Sequence, residues 1–264
     1  MPVITLTTEW KPDDFYYGII KGRLSTLCPG ASIIVNAGNI DPFDIAHASF
    51  VIRNTYRSYP AGTVHIICIH SEADCEREHL IVCAKDHYFV GTDNGIFNLI
   101  LNSEPDEIIK IASGDITDEL EIFAQAAAGL CNGLKASQMG TKVDTLVEKL
   151  PLRATIDKDV VTGSIIFIDS YGNAISNITR EVFSRVFENR DFKILIQSNR
   201  NHTSHISERY SDVPVGELLA RFNQLDLLEI AVNGANVSEL LSISTGSVIR
   251  VDALNKSGSP NRLL

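Results

Sequence analysis

Residues 63–82, TVHIICIHSEADCEREHLIV, decide how the rest of the chain is read. Positions 64–69 are rich in branched apolar residues, the composition of a strand covered on both faces. The strand breaks at once into a polar run. Open α/β sheets hold their ligands beyond the carboxyl ends of strands, so His70, Glu72, Asp74, Cys75, Glu76 and Arg77 stand where chemistry is expected. With no Gly or Pro, the run is more polar than a simple turn needs. A charged surface turn is the competing reading of these residues taken alone.

Working upstream, VITLTTEW reads as a strand ending at Glu9 and Trp10. Asp13 or Asp14 can then cap a helix carrying Tyr17, Ile20, Leu24 and Cys28 at a spacing near 3.6. A second strand over residues 32–35 leads through NAGN to Asp41, which is expected to cap a helix from Pro42 to about Tyr59. Downstream, short strands are expected at 80–83 and 88–90, a turn at TDNG, a short helix at 96–101 and a strand at 108–111. Thr117 or Asp118 then caps an alanine-rich helix that stops at Gly133.

Strands alternating with helices indicate an N-terminal α/β domain over residues 1–150, a mainly parallel sheet with helices on both faces. Residues 135–162 read as a linker with a short helix near 143–150. Residues 151–264 form a C-terminal, β-rich domain with strands expected at 164–168, 174–178, 192–197, 227–232 and 247–251, and ELLARFNQL as its one clear helix.

A net charge of −10 over 264 residues argues against nucleic acid or an anionic membrane as partner, since both select for basic patches. No apolar run is long enough to span a bilayer. Five cysteines without a CxxC pair, and no apolar leader, point to a reduced, cytoplasmic protein. GxGxxG, GxxxxGK[ST] and GxSxG are all absent, which disfavours dinucleotide-binding, P-loop and nucleophile-elbow chemistry. His65, Cys68, His70, Cys75 and His79 match no zinc spacing, and alternation sets His65 on the face opposite Cys68 and His70, so no metal is expected.

The segments ITLTTEWKPDDFYYGIIKG, NIDPFDIAHAS, GTVHII, TDNG, EIFAQAAAGL, IDSYGNAISNI and LLEIAVNGANV, in this order and spacing, resemble the S-adenosylmethionine hydrolases, also called SAM hydroxide adenosyltransferases, relatives of fluorinase and chlorinase. The resemblance spans nearly the whole chain, and IDSYGNAISNI is its most specific block. It implies an N-terminal α/β domain, a smaller β-barrel-like C-terminal domain, and a homotrimer with the site at the subunit interface. The implied reaction is hydrolysis of S-adenosylmethionine to adenosine and methionine by attack of water at the ribose C5′. S-adenosylmethionine enters as substrate, and no cofactor is implied.

Residue by residue, the resemblance assigns the water-activating set to His70, Arg77 and Asp118. The family's Asp position is His70 here, its His position is Asp118, and Arg77 is matched. Glu9 stands for an Asp on the ribose diol, Phe43 for an aromatic wall beside the ribose, Tyr171 for the adenine stack, Asn173 for an adenine contact and Asp169 for the methionine ammonium. Asp14 and Asn233 complete the implied substrate-binding set. Val232 stands where the fluorinase has an Arg for the methionine carboxylate, and Glu72-Ala73-Asp74 replaces a Gly-rich loop, making the pocket more acidic. Two readings of the altered set stay open: His70 and Asp118 face each other with roles exchanged, or the protein is a non-catalytic adenosyl-binding relative. Halogenation is disfavoured, because Glu119 stands at the halide-binding Ser position and a carboxylate repels an anion.

Overall fold

A computed structural model describes residues 1–74, 77–101 and 103–254. Cys75 and Glu76, two members of the polar run, lie outside the described residues. The chain divides into two compact units, Met1–Pro151 and Leu152–Leu264.

Unit 1 runs β1 (Val3–Thr8), α1 (Phe15–Leu27), β2 (Ser32–Ala37), α2 (Ile45–Thr55), β3 (Val64–Cys68), β4 (His79–Ala84), β5 (His87–Thr92), α3 (Ile96–Ile100), β6 (Glu107–Ile111), α4 (Glu119–Cys131) and β7 (Gly140–Lys142). These strands form one sheet in the order β2-β1-β3-β5-β4-β6-β7. The pairs β1–β2, β1–β3 and β3–β5 are parallel. Antiparallel pairs add β4, β6 and β7.

The pleat sorts β3 onto two cores, because successive strand residues point to opposite faces. Val64, Ile66 and Cys68 pack with Ile20 and Leu24 of α1 and Phe123 and Ala127 of α4. Ile67 and Ile69 join Ile45 and Ile52 of α2 and Phe97 of α3 on the other side. Each such side chain contributes about 1.5–3 kcal/mol by leaving water, so a sheet sandwiched between helices is the stable solution for this pattern.

Three local expectations for unit 1 are corrected. Helix α2 begins at Ile45 rather than Pro42 and is capped by Asp44 rather than Asp41, with the His47 amide donating to Asp44 Oδ1 at 2.9 Å. The cause is Phe43, whose φ of 66° interrupts the chain just before the helix. The helix also gives way to a 3-10 turn, Tyr56–Ser58, before Pro60. No helix forms over residues 143–150; the Val147 amide donates instead to both oxygens of Asp93, and Val143 and Leu146 pack on the second core. Tertiary partners override a modest helix propensity there.

Unit 2 runs β8 (Thr155–Asp157), β9 (Val160–Ile168), β10 (Ala174–Thr179), α5 (Arg180–Phe187), β11 (Phe192–Ile196), β12 (Ser198–Thr203), β13 (Ile206–Ser207), β14 (Leu218–Phe222), β15 (Leu227–Val232), α6 (Val237–Leu241) and β16 (Val248–Ala253). They form a curled sheet in the order β12-β11-β16-β9-β10-β15-β14-β13, with β8 on β9. ELLARFNQL is a strand, not a helix: β14 pairs along its length with β15 across a turn closed by Asn223 and Asp226. Its Leu, Ala and Arg are good helix formers, but burial of Leu219, Ala220 and Phe222 beside a strand partner decides the outcome. The helix of this unit with the longest run is α5, capped by Thr179 and carrying buried Phe183 and Phe187 one turn apart.

Candidate active site

Strand β1 delivers Glu9 just past its carboxyl end, beside the end of β3, where the Glu9 amide donates to the Cys68 carbonyl at 3.2 Å. The Glu9 carboxylate then gathers two other segments. Oε2 accepts from the Phe43 amide at 2.6 Å, and Oε1 accepts from the His70 amide at 3.2 Å. Both captured residues have left-handed backbone, φ 66° at Phe43 and 46° at His70. Such conformations are costly for residues with a Cβ and persist only where surroundings impose them. The Phe43 and His70 rings meet edge to face with centroids 5.0 Å apart.

Arg77 closes the loop after β3. Its amide donates to Asp74 Oδ1 at 2.9 Å and its Nε to Oδ2 at 2.8 Å, and Nη2 bonds the same carboxylate. Asp74 is therefore neutralised by its own loop rather than adding acidity to the pocket. The Nη1 atom of Arg77 lies 2.5 Å from His70 Nε2. Arginine has no acceptor, so in this contact Arg77 donates and His70 Nε2 accepts.

A partnership between His70 and Asp118, one of the two readings of the altered set, is not formed among the described contacts. Asp118 caps α4, with Oδ1 accepting from the Leu120 amide at 3.0 Å, while Oδ2 accepts from Arg23 Nη2 at 2.7 Å. The hydrogen bond from Arg23 holds the Asp118 carboxyl below the ordinary carboxylate range. A helix N-terminus and a guanidinium both favour a carboxylate, which is reason enough for an Asp here. Arg23 also pairs with Glu121 at 3.0 Å, tying α1 to α4.

Asp14 precedes α1 without capping it; its Oδ2 instead accepts from the Lys11 amide at 2.8 Å, closing its own turn. Neither Asp14 nor Asp118 is hydrogen-bonded to the Glu9, Phe43, His70 and Arg77 group among the described contacts.

In unit 2, Asp169 folds the turn between β9 and β10. Its Oδ1 accepts from the amides of Tyr171 at 2.8 Å and Asn173 at 2.9 Å, and its Oδ2 from Asn173 Nδ2 at 3.0 Å. Gly172 has φ 81°, and a Cβ there would sit 1.9 Å from Asn236 Oδ1, so only glycine fits. The turn leaves the Tyr171 ring 80% exposed. Asn233, after β15, spends its Nδ2 on the Val213 carbonyl at 2.8 Å.

Thr92, Asn94 and His79 are not among the site residues that the sequence singles out, where TDNG reads as a turn and as one of the segments of the family resemblance. Their side chains reach the carbonyls of residues 69–71. The motif was visible, but its hydrogen-bond targets lie 21 to 25 residues away for Thr92 and Asn94 and could not be read from it.

An α/β unit that collects a carboxylate, an aromatic ring, an imidazole and a guanidinium beyond its parallel strand ends has the layout of a small-molecule enzyme site. Residues 4–140 match the SAM hydroxide adenosyltransferase N-terminal domain and residues 163–250 its C-terminal domain. The chain belongs to that family. It is similar to proteins named (R)-S-adenosyl-L-methionine hydrolase from Thermus thermophilus, 25% identical over 95% of this chain and 100% of the relative, and from Salinispora arenicola, 24% identical over 96% and 98%. Its fold is that of an uncharacterized conserved protein from Thermotoga maritima, with TM-score 0.84 at 24% identity over 94% of this chain and 99% of that one.

Proposed function

We propose that this protein hydrolyses S-adenosylmethionine to adenosine and methionine. The observation that carries the reading onto this chain is the Glu9 carboxylate, which binds the amides of Phe43 and His70 and so gathers the ribose-side and water-side residues in one place. A water oxygen forms the bond to C5′ while the C5′–S bond breaks, its electron pair returning to the sulfur of methionine, and one water proton is released. The sulfonium is a good leaving group, so the protein mainly has to orient the water, remove its proton and hold the adenosyl group in line.

Each oxygen of Glu9 accepts one amide and keeps a second lone pair, enough to accept the two ribose hydroxyls. Phe43, 66% exposed, offers a wall to the ribose. A water that replaces the Arg77 donor at His70 Nε2 meets the ring's single basic lone pair, and the adjacent guanidinium stabilises the developing hydroxide. Asp118 serves this arrangement as helix cap and partner of Arg23.

Tyr171 supplies the adenine stack, Asn173 an adenine contact and Asp169 the ammonium partner, with Asp14 and Asn233 completing the binding set. The exposed rings of Phe43 and Tyr171 support a homotrimer that covers them at subunit interfaces. Free thiols at Cys28, Cys68, Cys83 and Cys131 support a reducing, cytoplasmic setting. Among the described residues no helix is long and apolar enough to cross a membrane.

Incubation with S-adenosylmethionine followed by chromatography tests the reaction: adenosine and methionine should accumulate in equal amounts, and the rate should drop to a small residual with His70→Ala. The commitment of Asp118 to Arg23 favours a second reading, a non-catalytic adenosyl-binding relative. A thermal shift with adenosine but no product from S-adenosylmethionine would select that reading.

A further inference from the structure

His70 is the point at which the proposed chemistry meets left-handed backbone, φ 46°, and its two flanking carbonyls share one donor. Asn94, only 6% exposed, directs Nδ2 at the Ile69 carbonyl at 2.9 Å and the His70 carbonyl at 3.2 Å. Its Oδ1 accepts from the Ile96 amide at 3.2 Å. That network fixes which amide atom is nitrogen, because two carbonyls can be satisfied only by the NH₂ group and a backbone amide only by the oxygen. The next carbonyl, Ser71, is held by the Thr92 hydroxyl at 2.6 Å and by His79 Nε2 at 3.0 Å. Together with Glu9 on the His70 amide, every backbone polar group from the Ile69 carbonyl to the His70 carbonyl has a buried or partly buried side-chain partner.

We infer that Asn94, backed by Thr92, is a positioning residue for His70: it imposes the left-handed turn that aims the imidazole at Arg77. The inference rests on the catalytic assignment of His70 made above. Asn94 need not touch substrate, since its bonds all go to backbone. A left-handed residue with a Cβ relaxes once its constraints are removed, and the ring would then swing out of reach of the Arg77 Nη1 donor. Were Asn94 merely the cap of α3, its Oδ1 alone would suffice, and the paired donors on the flanking carbonyls would have no role.

Asn94→Asp separates the two roles, because it keeps the acceptor for Ile96 and removes both donors. Thr92→Val, nearly isosteric, removes only the hydroxyl that holds Ser71. With S-adenosylmethionine as substrate, Asn94→Asp should lower kcat about 10²-fold and Thr92→Val about tenfold, while KM moves less than about threefold, the pattern of a misplaced reacting group rather than a lost binding contact. In a His70→Ala background neither change should lower the residual rate further, since groups that act as one unit are not additive. Labelling with diethyl pyrocarbonate, which needs a basic imidazole nitrogen, should modify His70 about tenfold faster in both folded variants, with the exposed His202 and His205 unchanged. Losses that multiply in the His70→Ala background, or His70 labelling that is the same in folded Asn94→Asp or Thr92→Val as in the natural protein, would overturn the positioning role. If the natural protein forms no adenosine, the hydrolase reading fails, and the labelling still decides the positioning by itself.

Discussion

After β3 and after β9 the chain makes turns in which a carboxylate accepts backbone amides, Glu9 at the first and Asp169 at the second. Asp169 captures amides two and four residues ahead in its own turn. Glu9 captures amides 34 and 61 residues away. A short-range clamp forms as soon as the turn forms, at little entropic cost. The long-range clamp exists only after the sheet has brought β1, β3 and the start of α2 together, and it holds two residues in strained backbone. The difference teaches where function is sensitive: the turn in unit 2 presents an aromatic ring on a loop whose carboxylate clamp is local, whereas the site in unit 1 depends on the sheet being correctly assembled.

The strongest way to break this contrast is Glu9→Ala. Two hydrogen bonds to a charged acceptor, each worth about 1.5–3 kcal/mol, are lost at once. Hydrolysis should fall by about 10² or more, with Glu9→Gln intermediate because it keeps one acceptor oxygen. Hydrogen exchange should show faster opening around Phe43 and His70 and no change in the turn at Asp169. An unaltered rate in Glu9→Ala would remove the clamp from the mechanism.

Acid should sharpen the same contrast, because unit 1 buries a neutral histidine pair. His65 Nδ1 lies 2.7 Å from the Thr5 hydroxyl and its Nε2 3.2 Å from His87 Nδ1, among Tyr56, Tyr59 and Phe89. Burial, reinforced by the neighbouring His87, pushes the His65 imidazole down to about 3 from an ordinary value of 6.5. Between those values the unfolded chain binds a proton that the native one refuses. Stability is therefore fully present above about pH 6.5 and is lost on acidification, by about 1.4 kcal/mol per pH unit. Urea unfolding at pH 7 and pH 5 should show the loss, and His65→Phe should flatten it. Hydrogen exchange should place the loss in unit 1; an equal loss in unit 2 would show that His65 is not its source.

A smaller effect is expected at Tyr171. Its ring is 80% exposed and carries little of the fold, so Tyr171→Ala should leave the melting temperature unchanged. It should weaken stabilisation by adenosine by about 1 kcal/mol, the worth of a stacking face. Equal ligand shifts in the two proteins would argue against an adenine stack there.

The smallest effect should come from Asp118→Asn. Asn is as good a cap as Asp, and the ion pair with Arg23 is partly exposed, so stability should change by less than about 1 kcal/mol. The rate should stay within about threefold. A drop of 10² or more would restore the exchanged His70–Asp118 pair.

Much of the fold was legible in the sequence, because periodicity records which face of an element meets a core. The α/β alternation from β1 to α4, the break after β3 and a cap for α4 at Thr117 or Asp118 all follow from local rules. Where propensity and tertiary context disagreed, context won: LLARF became β14 against β15, and residues 143–150 formed no helix, the Val147 amide donating to Asp93 instead. Of the site, the chain by itself determined which residue types stand at the strand ends, since that needs only the order of the segments. Which of them meet was decided by the tertiary structure alone. Glu9 with His70, Asn94 with the carbonyls flanking it, and Asp118 with Arg23, 95 residues apart, are contacts between distant segments, and no local rule records a partner that arrives only when the sheet and helices have packed.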